Sequence, residues 1–340
     1  MCGIVLLRLL KERSYYSEKY GDEYFALRKV RELMSRQRNR GQDAVGLASC
    51  VLPEARELER EYLFIDKALG QLGLEELFSS LFEASSNDTG KAEARSTASA
   101  FVGHLLYSTL LSELDIKFVH PVEKLSSIPA RRVALALNGN FANNREQRRF
   151  LRSLGHFPTS MSDVQALTEC FGHFLDKQVP DVAGLSGPEI DARIDLVSVM
   201  KHVHLQLKGA YAISGLLGNG FSFLARDPHG IRPLYYAVDD DVIVGASEEN
   251  AILSAFRSEG MSRSLIQELP PGHILVVRPD GAGWFRSSRR TSTAARACSS
   301  RCTSVESRGP GSTRAGRTSV AASRSKRTAC SPRTATTPAW

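Results

Sequence analysis

No run of about 18 apolar residues occurs in the 340-residue chain, which excludes a helical membrane span. The first apolar stretch, Gly3 to Leu10, is interrupted by Arg8 and has neither a basic leader nor a small-residue cleavage site. It does not read as a secretory signal, so the expected location is the cytoplasm. Cysteine is scarce: Cys2, Cys50, Cys170, Cys298, Cys302 and Cys330 are too scattered for a disulfide framework and are expected as thiols in a reducing compartment. Cys298 and Cys302 have no second pair at ligand spacing, which argues against zinc, and no metal or cofactor is expected. Internal repeats and regular βαβ alternation are also missing.

Acidic residues are nearly absent from one segment only. Residues 286–340 hold twelve of the 44 Lys and Arg but a single acid, Glu306, leaving 32 basic against 36 acidic residues in 1–285. The net charge of +7 therefore belongs to the tail, and the body carries no charge signature of a nucleic-acid partner. That tail has 21 Ser or Thr, and Val305, Val320 and Trp340 are its only large apolar residues. It cannot bury enough surface to offset its ordering entropy. A basic arm for phosphate-rich partners, disorder without a role and out-of-frame translation are three readings of it. The last is favoured, because Leu, Ile, Phe, Tyr and Met all vanish after Phe285.

What remains, at 42% apolar and 24% charged residues overall, has the composition of a globular protein. The apolar period predicts strands at 3–9, 44–50, 62–68, 98–105, 133–137, 210–217, 221–226, 234–238, 242–246 and 273–278. It predicts helices at about 22–37, 73–82, 143–154, 188–207 and 248–257, and another after a Ser162 N-cap. Strands in runs with helices grouped between them argue for an α+β fold of mainly antiparallel sheets.

Cys2 follows the initiator Met, and its small side chain lets that Met be removed. The mature chain would then carry a thiol and a free α-amine on one residue, and an amine of pKa about 7.7 to 8.0 suits a base for the thiol proton. Taken alone, a small buried residue opening a strand is the simpler reading. Four other motifs follow it in order: Arg40-Gly41-Gln42-Asp43-Ala44-Val45-Gly46-Leu47, Gly103-His104 through Thr109, Asn138-Gly139-Asn140, and Ala225 through Leu234. With Met-Cys-Gly-Ile-Val at the start, residues 2–285 resemble the glutaminase domain of class II glutamine amidotransferases, a group of N-terminal nucleophile hydrolases. Within it, Ala225-Arg226-Asp227-Pro228-His229-Gly230-Ile231-Arg232-Pro233-Leu234, with Ala246-Ser247-Glu248 and Pro270-Pro271-Gly272 after it, resembles the amidophosphoribosyltransferases.

The resemblance implies a four-layer αββα sandwich and the hydrolysis of glutamine for purine nucleotide synthesis. Cys2 would be the nucleophile, and the Asn138 side chain and Gly139 amide would hold the oxyanion. On their own, Asn138 and Gly139 would read as a hairpin turn. Asp163 would meet the substrate ammonium, otherwise only a dipole partner at a helix start. Arg40 would order the nucleophile's surroundings, and Tyr107 and Thr109 would help bind substrate. Arg226 and Asp227 would shape the fold.

Two departures stand out. The family has an arginine that clamps the substrate carboxylate where this chain has Leu106, and leucine offers no donor. The alternative function is therefore a catalytically impaired binding or regulatory module of the same fold. The phosphoribosyltransferase domain or subunit expected as partner has no counterpart after Phe285. No nucleic acid or membrane partner is expected, and a homo-oligomer is left open.

Overall fold

The computed structural model describes residues 2–52, 62–87, 95–108, 115–158, 162–182, 184–281 and 283–287. Thirteen strands among them form two sheets, and every pairing is antiparallel. In chain order they are β1 (Gly3–Leu9), β2 (Ala44–Cys50), β3 (Leu63–Leu69), β4 (Ala100–Leu106), β5 (Val122–Lys124), β6 (Val133–Phe141) and β7 (Gly209–Leu217). Then come β8 (Ser222–Arg226), β9 (Tyr235–Val238), β10 (Val242–Ala246), β11 (Gln267–Glu268), β12 (His273–Val277) and β13 (Gly283–Ser287). The first sheet runs β11-β9-β10-β1-β4-β2-β3 and the second β13-β12-β8-β7-β6-β5.

The two-residue period of the strands sorts their side chains into layers. Along β1, Val5, Leu7 and Leu9 pack under the helices Phe25–Ser35, Gly73–Asn87 and Glu249–Ala255. Ile4 and Leu6 point the other way, into the space between the sheets. Along β6, Leu135 and Leu137 meet the helices Asp163–Gln178 and Leu196–Gln206, while Ala134 and Ala136 face inward. The inter-sheet core is rich in alanine (Ala48, Ala100, Ala134, Ala136, Ala212), small side chains that allow two sheets to approach closely. Helices outside and two sheets inside make the expected four layers.

The differences from the sequence reading have local causes. The apolar run 188–207 is two helices, Gly187–Arg193 and Leu196–Gln206, because the Asp195 carboxylate caps the second by accepting from the Val197 (3.0 Å) and Ser198 (3.1 Å) amides. The helix Arg13–Tyr20 has no apolar face and buries only Tyr16, so it gave no periodic signal. β6 does not end at Leu137 in an Asn-Gly turn but continues through Asn138 and Gly139 to Phe141. β13 pairs Arg286 with Ile274 and Ser287 with His273, two residues past the boundary expected at 285. The rest of the tail lies outside the described residues.

Candidate active site

Cys2 immediately precedes β1, and the strand period puts it on the inner face with Ile4 and Leu6. The β1–β4 register, Ile4 with His104 and Gly3 with Leu105, brings Leu106 opposite Cys2. Leu106 is half-buried and shares the inner face with Val102 and Ala100. Burial pushes the Cys2 thiol above its ordinary pKa, opposed by a hydrogen bond from the Tyr107 backbone and by the charges of Arg232 and Arg40. A thiol in that state needs a base near neutral pH. Tyr107 reaches Cys2 through its backbone, and its side chain is exposed.

Arg40 closes a 3₁₀ turn, Arg38–Arg40, and is buried. Its Nε donates to the Cys2 carbonyl at 3.1 Å and its Nη1 to Glu248 Oε1 at 3.1 Å. Its Nη2 is buried with no partner among the described residues. Glu248 also accepts from the Asn39 side chain at 3.1 Å. The preceding Ser247 fixes this segment to β1: its hydroxyl accepts the Ile4 amide at 3.0 Å, and its own amide donates to Gln37 Oε1 at 3.0 Å. Sequence reasoning quoted Glu248 as part of a motif but gave it no place at the site.

The second group lies on β6. Asn138 is 1% exposed, faces inward with Ala136, and its Nδ2 has no partner among the described residues. A buried amide donor without an acceptor is costly unless something else comes to use it. On the strand edge away from β7, the Leu137 amide donates to His120 Nδ1 at 3.3 Å and the Phe141 amide to Asp163 Oδ2 at 2.8 Å. The strand period points the Gly139 amide to that same edge, between them. A β-carbon on Gly139 would lie 2.4 Å from the Ala210 carbonyl oxygen and 2.8 Å from Tyr211 Cα. Glycine at 139 thus serves close strand packing, not a turn. Asp163, the first residue of helix Asp163–Gln178, also accepts from the Asn144 side chain, which ties its carboxylate to the end of β6.

His104 joins the two groups. From β4 it crosses the inter-sheet space, and its Nε2 donates to the Leu137 carbonyl at 3.2 Å. The Ala225–Leu234 segment is held from within. Asp227 is fully buried and accepts from the amides of His229 (2.9 Å), Ile231 (3.0 Å), Arg232 (3.2 Å) and Tyr211 (3.3 Å). Arg226 donates to the carbonyls of Gly230, Arg232 and Leu269, each at 2.7 Å. Arg226 and Asp227 therefore shape the loop that carries Arg232 toward Cys2. Thr109 lies outside the described residues. Among the described residues no group of three or more His, Cys, Asp or Glu gathers as for a metal ion.

Residues 123–254, which include Asn138, Gly139, Asp163 and the Ala225–Leu234 segment, match the glutamine amidotransferase domain family. The chain is 28% identical over 190 residues to the amidophosphoribosyltransferase of Methanothermobacter thermautotrophicus, covering 56% of this chain and 35% of that protein. It is 28% identical over 200 residues to the Pasteurella multocida enzyme of the same name, covering 55% and 34%. These alignments span about a third of the length of the relatives. The Bacillus subtilis glutamine phosphoribosylpyrophosphate amidotransferase structure, in complex with ADP and GMP, superposes with a TM-score of 0.59 at 22% identity, over 85% of this chain and 50% of that one. A second solved structure, an allosteric regulatory enzyme of purine biosynthesis, gives a TM-score of 0.60 at 21% identity, over 85% and 49%. Over residues 123–254 the chain is thus similar to glutamine amidotransferase domains, its relatives are amidophosphoribosyltransferases, and the two solved structures share its fold.

Proposed function

We propose that this domain hydrolyses glutamine to glutamate and ammonia, with Cys2 as an N-terminal nucleophile, and that in the cytoplasm the ammonia serves purine nucleotide synthesis through a phosphoribosyltransferase partner. One observation carries the reading. The strand period turns Cys2 and the unpartnered amide of Asn138 toward the same inter-sheet space, and His104, opposite Ile4 on the strand that Cys2 precedes, donates across that space to Leu137, the neighbour of Asn138.

After removal of Met1, the α-amine of Cys2 takes the thiol proton, which the raised thiol pKa requires. The thiolate adds to the side-chain carboxamide carbon of glutamine. The oxyanion so formed accepts from Asn138 Nδ2 and the Gly139 amide. The C–N bond breaks as the leaving nitrogen takes the proton back from the α-ammonium, and ammonia departs. Water, deprotonated by the same amine, cleaves the γ-glutamyl thioester to glutamate and restores the thiol. Arg40, anchored by Glu248, fixes the Cys2 carbonyl through these steps. Asp163 receives the substrate ammonium beside its contacts to Phe141 and Asn144. Leu106, opposite Cys2, gives the substrate carboxylate no donor, so affinity for glutamine is expected to be weak.

The test is ammonia release from glutamine by the chain lacking Met1, beside Cys2→Ala. Turnover that disappears in the variant supports the reading. No release from the wild-type chain at millimolar glutamine, or release undiminished in Cys2→Ala, overturns it and favours the non-catalytic module.

A further inference from the structure

Two histidines that the chemistry above leaves unused grip the backbone of a single residue, one on each of its two peptide groups. β5 and β6 pair Val122 with Leu135 and Lys124 with Val133, so extending that register by two residues sets His120 opposite Leu137. The ladder cannot continue there in the ordinary way. The His120 carbonyl is turned away from β6 onto β2, where a β-carbon on Gly46 would stand 2.1 Å from its oxygen. The His120 ring takes the carbonyl's place: its Nδ1 accepts the Leu137 amide at 3.3 Å. From the other sheet His104, fully buried, donates Nε2–H to the Leu137 carbonyl at 3.2 Å. The two rings lie 4.2 Å apart between centroids. Both backbone groups of Leu137 are thus held by imidazoles, and the next residue is Asn138.

The tautomers follow from the partners. His120 must carry its proton on Nε2 and His104 on its own Nε2, because a carbonyl accepts and an amide donates. A single added proton would place a cation in the inter-sheet core beside the half-buried Lys67, which β2 and β3 bring into line with Gly46. His104 also stands across from Ile4, two residues along β1 from Cys2. Its hydrogen bond therefore sets the spacing between the strand that bears the thiol and the strand that bears the Asn138 amide.

We propose that His104 and His120 are positioning residues for the oxyanion site: together they clamp the backbone N–H and C=O of Leu137 and hold the Asn138 amide in register with the Cys2 thiol. This rests on the glutaminase reading. The geometry suggests matched variants, since asparagine places an acceptor near the Nδ1 of histidine and glutamine a donor near its Nε2. His120→Asn and His104→Gln should retain the clamp that His120→Ala and His104→Ala destroy.

The expected result is a fall in kcat of tenfold or more in the two alanine variants with KM changed less than about threefold, largely rescued in His120→Asn and His104→Gln. The rate of Cys2 alkylation by iodoacetamide, which forms no oxyanion, should stay within about twofold of wild type in all four. Equal loss of alkylation and turnover, or no rescue by the matched variants in folded protein, overturns the proposal. Amide hydrogen exchange at Leu137 separates this failure from that of the glutaminase reading. If wild type releases no ammonia, faster exchange in His120→Ala that reverts in His120→Asn still supports the clamp, and unchanged exchange refutes it.

Discussion

Lowering the pH from 7 to 5 should destabilise this protein, and the imidazole pair of buried His104 and half-buried His120 dominates the effect. Burial is the first cause for both rings. It holds His104 well below the usual histidine range, helped by His120 and Lys67 and opposed by its contact to the Leu137 backbone. It brings His120 down to about 3, again with the charge of Lys67 in the same direction. Glu123 acts on Lys67 from β5, and burial has already lowered that amine. A histidine with a depressed folded pKa contributes stability that is present above pH 6.5, its unfolded value, and is lost as the pH falls toward the folded one. At pH 5 the unfolded chain gains roughly 1.5 pKa units of protonation energy at His120, about 2 kcal/mol, and His104 adds to the loss in the same direction. Total stabilities of domains are about 5 to 15 kcal/mol, so the loss is large. The half-exposed His173, also lowered mainly by burial, adds in the same direction. Asp66, raised by burial, works with opposite sign in the carboxylate range, which is why the window stops at pH 5. Urea unfolding followed by circular dichroism at pH 7, 6 and 5 measures the slope. His120→Asn should make the slope shallower. A loss below about 1 kcal/mol, or an undiminished slope in the variant, would refute the neutral pair.

Leu106→Arg should raise kcat/KM for glutamine at least about tenfold, since half of a charged bidentate contact exceeds about 1.4 kcal/mol. The amide-capped analogue should gain nothing, and unchanged turnover at unchanged Tm would show that position 106 does not face the substrate carboxylate. Gly139→Ala should cost about 1 to 3 kcal/mol in urea unfolding, because its β-carbon meets the β7 backbone; a neutral effect would contradict the close β6–β7 approach. We propose that truncation after Ser287 shifts Tm by less than about 2 °C, given a segment with almost no large apolar residue. A larger drop in differential scanning fluorimetry would mean that the tail packs on the body.

The layers were legible because ten strands carry β-period apolar runs and the main helices one apolar face. β5 and β11, at three and two residues, are too short to show a period, and the polar helix Arg13–Tyr20 has none to show. Asn138 and Gly139 mimic a turn because a strand glycine required by packing and a turn glycine required by φ look alike in sequence. Motif order named Cys2, Arg40, Asn138, Gly139 and Asp163; the structure joins Arg40 to the Cys2 carbonyl and Asp163 to the end of the strand that carries Asn138 and Gly139. What the motifs could not supply was the roles of Glu248, His104 and His120. Glu248 lies 208 residues from the Arg40 it anchors, and His120, just before β5, acts through a ring that stands in for a strand carbonyl.

The central claim is that Cys2 is the nucleophile of a glutamine-binding site. Mass spectrometry after incubation with a diazo ketone analogue of glutamine tests it most directly. The account predicts one adduct, on Cys2 of a chain that has lost Met1, formed more slowly when glutamine is added. Modification of the buried Cys50 or Cys170 with Cys2 untouched, or a Cys2 adduct whose rate ignores glutamine, would contradict it.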